Sequence, residues 1–135
     1  MSMYDTQTIE IASDPARVQA FITDGANLPR WAIGFAKDAK LDGGQWNVTT
    51  GTGDRIPTVI VTNPTAGTVD FAMSPAPNIT VTAWSRAVAV NRGTLFTFTQ
   101  AQPDGMPDEV FAGQVRAVSH ELVALKALLE VECPL

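Results

Sequence analysis

The chain has a single cysteine, Cys133, so no internal disulfide can form and no thiolate zinc site can be assembled. Cys133 lies beside the C-terminus, where a bystander position in a frayed tail is expected. There is also a single histidine, His120, so metal sites built from His and Cys are excluded by counting, and neither a metal nor a cofactor is expected. Long apolar runs are missing as well. No stretch approaches the roughly 18 consecutive apolar residues of a membrane span, so membrane insertion is not expected. Basic residues are sparse and scattered: nine Lys and Arg against fourteen Asp and Glu, for a net charge of −5. Nucleic acids and anionic membranes both require a basic patch, and this balance argues against them as partners. The opening Met1-Ser2-Met3-Tyr4-Asp5 has no basic region followed by an apolar stretch, so no signal peptide is expected and a cytoplasmic protein is the reading.

At 135 residues the chain fits one domain, 1–135, large enough to bury about two-thirds of its unfolded surface without staples. Tyr4 to Ile11 carries β-branched residues with alternation at its end and reads as a strand. Asp14-Pro15 opens a helix, with Asp14 as cap and Pro15 at the first helical position, where its missing donor costs nothing. Val18, Phe21 and Ile22 form its apolar stripe, and Gly25 is expected to stop it. A second short helical piece begins at Asn27-Leu28-Pro29-Arg30-Trp31.

From Lys37 to Gln100 the pattern changes to short strands punctuated by turns. Asp42-Gly43-Gly44 is a strong hairpin signal, and the remaining turns centre on residues 51–54, 63–67, 75–78 and 91–93. Connections this short imply antiparallel neighbours. A long helix then runs from about Pro107 to Glu130, with Phe111, Val115, Val118, Leu122, Leu125 and Leu129 recurring at spacings of four and three. The order is one strand, two short helices, about six strands and one long helix, which argues for α+β with the long helix buried against the sheet.

Several phrases resemble those of a known superfamily. Ile11-Ala12-Ser13-Asp14-Pro15-Ala16-Arg17-Val18 and Asn27-Leu28-Pro29-Arg30-Trp31-Ala32 resemble its first strand and short helices. Gly67-Thr68-Val69-Asp70 resembles a mid-sheet phrase. Phe96-Thr97-Phe98-Thr99-Gln100, Gly105-Met106-Pro107-Asp108 and Glu121-Leu122-Val123-Ala124-Leu125-Lys126 resemble its last strand and final helix. The chain is similar in these respects to START-like proteins of the bacterial SRPBCC kind, a group that includes polyketide cyclases, the birch-pollen allergen type and lipid-transfer domains. The resemblance covers nearly the whole chain. It implies a helix-grip fold, a curved antiparallel sheet of about seven strands around the C-terminal helix, with an apolar ligand cavity between them. Activity does not follow from it, because no shared catalytic motif joins the group.

Alternation proposes which side chains enter the cavity. The larger residues of Ile79–Val90, namely Trp84, Arg86 and Val88, are read as inward, as are Phe96, Phe98 and Gln100, Trp46 and Val48, and Val69, Phe71 and Met73. A register error of one residue would reverse any of these. Arg86 sits among apolar groups and could fix a carboxylate or carbonyl of a ligand, pair with Glu109, Glu121 or Asp70, or snorkel to the surface. Gln100 could offer its amide to a ligand or end the strand in solvent. Trp31, Trp46 and Trp84 could line a pocket or simply fill the core. His120 lies about 200° from Val118 around the helix and faces solvent. Asp54, Asp70, Glu109 and Glu121 are the acids nearest the cavity, each either a desolvated general base or a structural group.

The leading reading is binding of a small hydrophobic or aromatic molecule, lipids included, by Trp31, Trp46, Phe71, Met73, Trp84, Arg86, Phe98, Gln100 and Phe111. A metal-free enzyme of cyclase, dehydratase or isomerase type in the same cavity is the alternative, and a protein-interaction module of chaperone-activator type a third. The oligomeric state, homodimer included, is open.

Overall fold

The computed structural model describes residues 2–135. Strand β1 spans Tyr4–Ile11 and is followed by helix α1 at Pro15–Thr23. The Asp14 carboxylate accepts the Ala16 N–H at 2.9 Å, so the cap forms as the Asp-Pro pair requires. A 3-10 turn at Gly25–Asn27 leads into the single-turn helix α2, Leu28–Trp31. Six strands come next: β2 Asp38–Asp42, β3 Gln45–Thr49, β4 Arg55–Asn63, β5 Thr68–Ala76, β6 Ile79–Val90 and β7 Gly93–Ala101. Helix α3, Asp108–Glu132, closes the chain.

The strands form one antiparallel sheet in the order β1-β7-β6-β5-β4-β3-β2. Each strand from β2 to β7 pairs with its sequence neighbour, as short connections require, and β1 docks on β7 from Tyr4 opposite Ala101 to Ile11 opposite Thr94. The β2–β3 turn places Gly43 and Gly44 at φ 57° and 83°, a left-handed pair that only glycine adopts without steric cost. The curved sheet and the long C-terminal helix, with short helices after the first strand, make a helix-grip fold, as the resemblance implies.

The core lies between the concave face and the helices. Ile11, Val18, Ile22, Leu125 and Leu129 are fully buried at one end of it. Helix α3 is clipped to this end by Glu130, which accepts both the Ala12 N–H at 2.8 Å and Lys126 Nζ at 2.7 Å. Together these donors hold the Glu130 carboxyl below the usual carboxylate range. Cys133 is half-buried against the core rather than part of a frayed tail, because α3 runs on to Glu132.

Two expectations change here. Helix α1 ends at Asp24, not at a glycine cap. Gly25 is needed because a Cβ there would lie 2.3 Å from the Trp46 ring, so the indole packs directly on backbone. Strand β6 also turns the opposite face inward to that expected from residue size. Ala83, Ser85 and Ala87 are buried, while Trp84 and Arg86 are exposed on the outer face. The cause is α1, which packs on β6 and β5 with Val18 and Ile22 fully buried, leaving room for small side chains only.

Candidate functional site

The apolar stripe of α3 has two parts. Leu125 and Leu129 pack against the closed end of the core. One to about three turns before Leu125, Gln114, Ala117, Val118 and Glu121 fall at i, i+3, i+4 and i+7 and form one wall of a cavity of about 290 Å³. Phe71, Met73, Ala83 and Phe98 on the concave sheet face form the opposite wall. Trp31 and Phe35, with Gly34 between α2 and β2, close the side. Pro75, Pro103 and Met106 form a mouth where the β5–β6 and β7–α3 connections meet. The volume is at the lower end of the range for ligand pockets, roughly 300–1,000 Å³.

Three aromatic rings shape the interior. Trp31, Phe71 and Phe98 have centroids 6.4 to 6.5 Å apart, with Trp31 nearly edge-on to Phe98 at 80°. Such tilted contacts suit the ring quadrupoles and hold the wall firmly. The Trp31 Nε1–H is buried and, among the described residues, has no hydrogen-bond partner. At the mouth, buried Gln102 orders the β7–α3 connection. Its amide nitrogen donates to the Met106 carbonyl at 2.9 Å and to Asp108 at 2.7 Å, while its oxygen accepts the Met3 N–H at 3.1 Å.

Glu121 is the charged-type residue of this wall. It is 6% exposed, and its Oε2 accepts the Gly34 N–H at 3.0 Å. Gly34 permits that approach: a Cβ would stand 3.1 Å from Ala117 Cβ and 3.3 Å from Glu121 Oε2. No Lys, Arg or His lines the cavity, and among the described residues no cation pairs with Glu121. Burial without a counter-ion pushes its pKa from an ordinary 4.5 to about 7, against the pull of the Gly34 and Phe35 backbone N–H groups. Near neutral pH the carboxyl is therefore poised between donor and acceptor. Among the described residues no group of three or more His, Cys, Asp and Glu could hold a metal.

Five of the residues proposed from alternation come together here: Trp31, Phe71, Met73, Phe98 and Gln100. Four do not. Trp46 points inward but fills the space over Gly25. Phe111 is buried outside both the cavity and the main core cluster. Trp84 and Arg86 lie on the outer face, where the Arg86 Nε–H donates to the Ala66 carbonyl at 3.1 Å. Among the described residues Arg86 thus has no carboxylate partner, and it does not line the cavity, since β6 is turned over relative to the size-based reading. Gln100 is buried and its amide nitrogen donates to Asp5 at 3.3 Å. Glu121 was recognisable as an acid near the cavity, but its place in the wall was not singled out. The signal was present: it stands three residues after Val118 and four before Leu125, within the apolar phase of α3. His120 is exposed, as its helical angle requires.

The outer face of the sheet also bears exposed Val59, Val61 and Trp84, but Asp70 separates Val61 from Trp84 across the strands, and Arg86 follows two residues on. No helix of the described residues is long and apolar enough to cross a membrane.

No protein-family profile and no curated protein sequence matches the chain. Solved structures do match. A START superfamily protein from Mycobacterium smegmatis superposes with a TM-score of 0.74 at 12% identity, over 94% of this chain and 97% of the other. Aha1 from Colwellia psychrerythraea, solved as a dimer, gives 0.75 at 18% identity over 96% and 97%. Ara h 8.0201 gives 0.71 at 15% identity over 98% and 100%. All three cover almost the full length of both chains, and their likeness is one of fold. The chain has the helix-grip fold that these solved structures share.

Proposed function

We infer that the chain binds a small hydrophobic or aromatic molecule in the cavity between the sheet and α3. The observation that carries this reading is the aromatic-walled cavity of about 290 Å³ with few polar groups in its wall. A core selected for stability alone closes such a space, because each unfilled volume forfeits dispersion contacts. Mostly apolar walls with a few convergent polar groups are the usual form of a small-molecule site. Trp31, Phe71, Met73 and Phe98 supply apolar surface in this reading, and Gln100 and Glu121 the polar contacts. The START superfamily likeness is in keeping with it.

Methyl NMR tests the proposal. Met73 and Met106 line the cavity and Met3 does not. Titration with 2-isopropylnaphthalene is expected to shift the first two methyl signals saturably and leave Met3 in place. Equal movement of all three, or none, refutes binding in the cavity. Native mass spectrometry of freshly purified protein then reports what is carried from the cell.

A second reading, a metal-free isomerase or dehydratase, is favoured by one observation, the pKa of about 7 at buried Glu121. Catalysed exchange of α-protons of a bound ketone in D₂O, abolished in Glu121→Gln, is its expected signature. Retention of full exchange in that variant rules it out. The singly placed apolar groups of the outer face support no protein-docking role.

A further inference from the structure

The cavity wall has an unbalanced set of polar groups. It holds one acid, Glu121, and the amides of Gln100 and Gln114, but no cationic side chain. A ligand carboxylate brought into this wall would be desolvated with no counter-ion to meet it, the costliest arrangement for a buried charge. An ionised Glu121 would add direct repulsion. A ligand carboxylate is therefore disfavoured whether Glu121 is neutral or ionised.

The carboxyl itself points to what is favoured. The Glu121 carboxyl faces the Gly34 and Phe35 N–H groups on one side, and among the described residues no side chain bonds it. A neutral carboxyl in a low-dielectric wall donates one O–H and needs an acceptor for it. A donor in this wall without a protein acceptor calls for a ligand oxygen.

Resting on the reading of the cavity as a ligand site, we propose that Glu121 acts as a neutral hydrogen-bond donor, selecting an uncharged aromatic or alicyclic ligand that carries an acceptor such as a ketone or ester, and that carboxylic acids are rejected. Ionisation of Glu121 would remove the donor and set two acceptors face to face, so binding of such ligands weakens as pH rises. The ionisable neighbours do not oppose this. On α3, His120 is exposed and Lys126 is engaged with Glu130 and the Glu10 carbonyl. On α2, Arg30 pairs with Glu132. On the sheet, Asp5 is engaged by the amides of Gln7 and Gln100.

Four naphthalenes of matched shape test the proposal by calorimetry near pH 6, below the Glu121 value of about 7. They are 2-acetylnaphthalene, 2-isopropylnaphthalene, 2-naphthoate and 1-(2-naphthyl)ethylamine. The ketone is expected to bind about three- to tenfold more tightly than the hydrocarbon, the worth of one hydrogen bond, with the carboxylate weakest. The ketone should weaken towards pH 8.5 in the wild type but not in Glu121→Gln, whose amide still donates. Glu121→Leu should equalise ketone and hydrocarbon. A carboxylate or amine that binds as tightly as the ketone overturns the proposal, as does a ketone preference surviving Glu121→Leu. Should Glu121→Leu fail to fold, the wild-type ranking and the pH response of Glu121→Gln decide. If the hydrocarbon binds and the ketone gains nothing, the cavity reading stands and this selectivity falls. If no probe binds, both fall together.

Discussion

The two ends of the sheet–helix interface are built differently although the same helix serves both. At one end Ile11, Val18, Ile22, Leu125 and Leu129 are branched aliphatic groups with no exposed surface. At the other, Trp31, Phe71, Met73 and Phe98 face Gln114 and Glu121 across open space. The closed end maximises apolar burial and dispersion. The hollow end keeps aromatic and polar groups whose requirements are met only in part, including an indole N–H that has no partner among the described residues. Close packing and open space are thus separated along α3, the division falling between Glu121 and Leu125.

The largest effect expected from this division is at Leu125. Leu125→Ala should lower stability by about 3 kcal/mol, the usual cost of a buried Leu truncation, whereas Met73→Ala in the existing cavity should cost only about 1 kcal/mol. Urea denaturation of both variants checks it, and equal losses would erase the distinction between the ends.

Glu121→Gln comes next, with the opposite sign. The Glu121 carboxyl has a folded value of about 7 against an ordinary 4.5, so the folded state binds more protons between these values and stability falls as pH rises from about 4.5 to 7. Each pKa unit corresponds to about 1.4 kcal/mol, and with water reaching the cavity mouth the penalty is roughly 2 kcal/mol at pH 8. Glu121→Gln should recover that amount at pH 8 and almost none at pH 4. Parallel melts at the two pH values that show the same gain at both would place Glu121 in solvent.

A close contact away from the cavity sharpens the picture of Trp46. Gly25→Ala puts a Cβ 2.3 Å from its ring and should cost about 1 to 2 kcal/mol by overpacking. The loss should shrink in a Trp46→Leu background, and a double-mutant cycle reads the coupling. If instead Trp46 lines the ligand site, Gly25→Ala will weaken probe binding more than it lowers stability.

The smallest effect belongs to the outer face. Arg86→Ala should change stability by no more than about 0.5 kcal/mol and leave ligand affinity unchanged, as expected of an exposed side chain with one backbone contact. A selective loss of affinity for acidic probes would restore Arg86 to the cavity and reverse the register of β6.

Much of this fold is legible along the chain. Asp14-Pro15 starts α1, Asp42-Gly43-Gly44 makes the first hairpin, and the four-and-three spacing from Phe111 to Leu129 marks α3, because capping, left-handed turns and helical periodicity depend on residues close in sequence. On β5 and β7 alternation also sets the inner face, since Val69, Phe71, Phe96 and Phe98 are larger and more apolar than their neighbours.

Tertiary packing decided the rest. On β6, the apolar residues occur at both parities, so alternation could not choose between them. The choice was made by α1, which lies against that strand and excludes large side chains. Gly25 reads as a helix stop until Trp46, twenty-one residues on, is seen to occupy its Cβ position. Glu121 shares the apolar phase of α3, but its meaning comes from Gly34, which the fold brings to 3.0 Å across eighty-seven residues of chain. Local rules specify elements and periods. Which face is spacious, which glycine is crowded and which carboxyl loses its water depend on the elements that arrive from far along the chain to cover them.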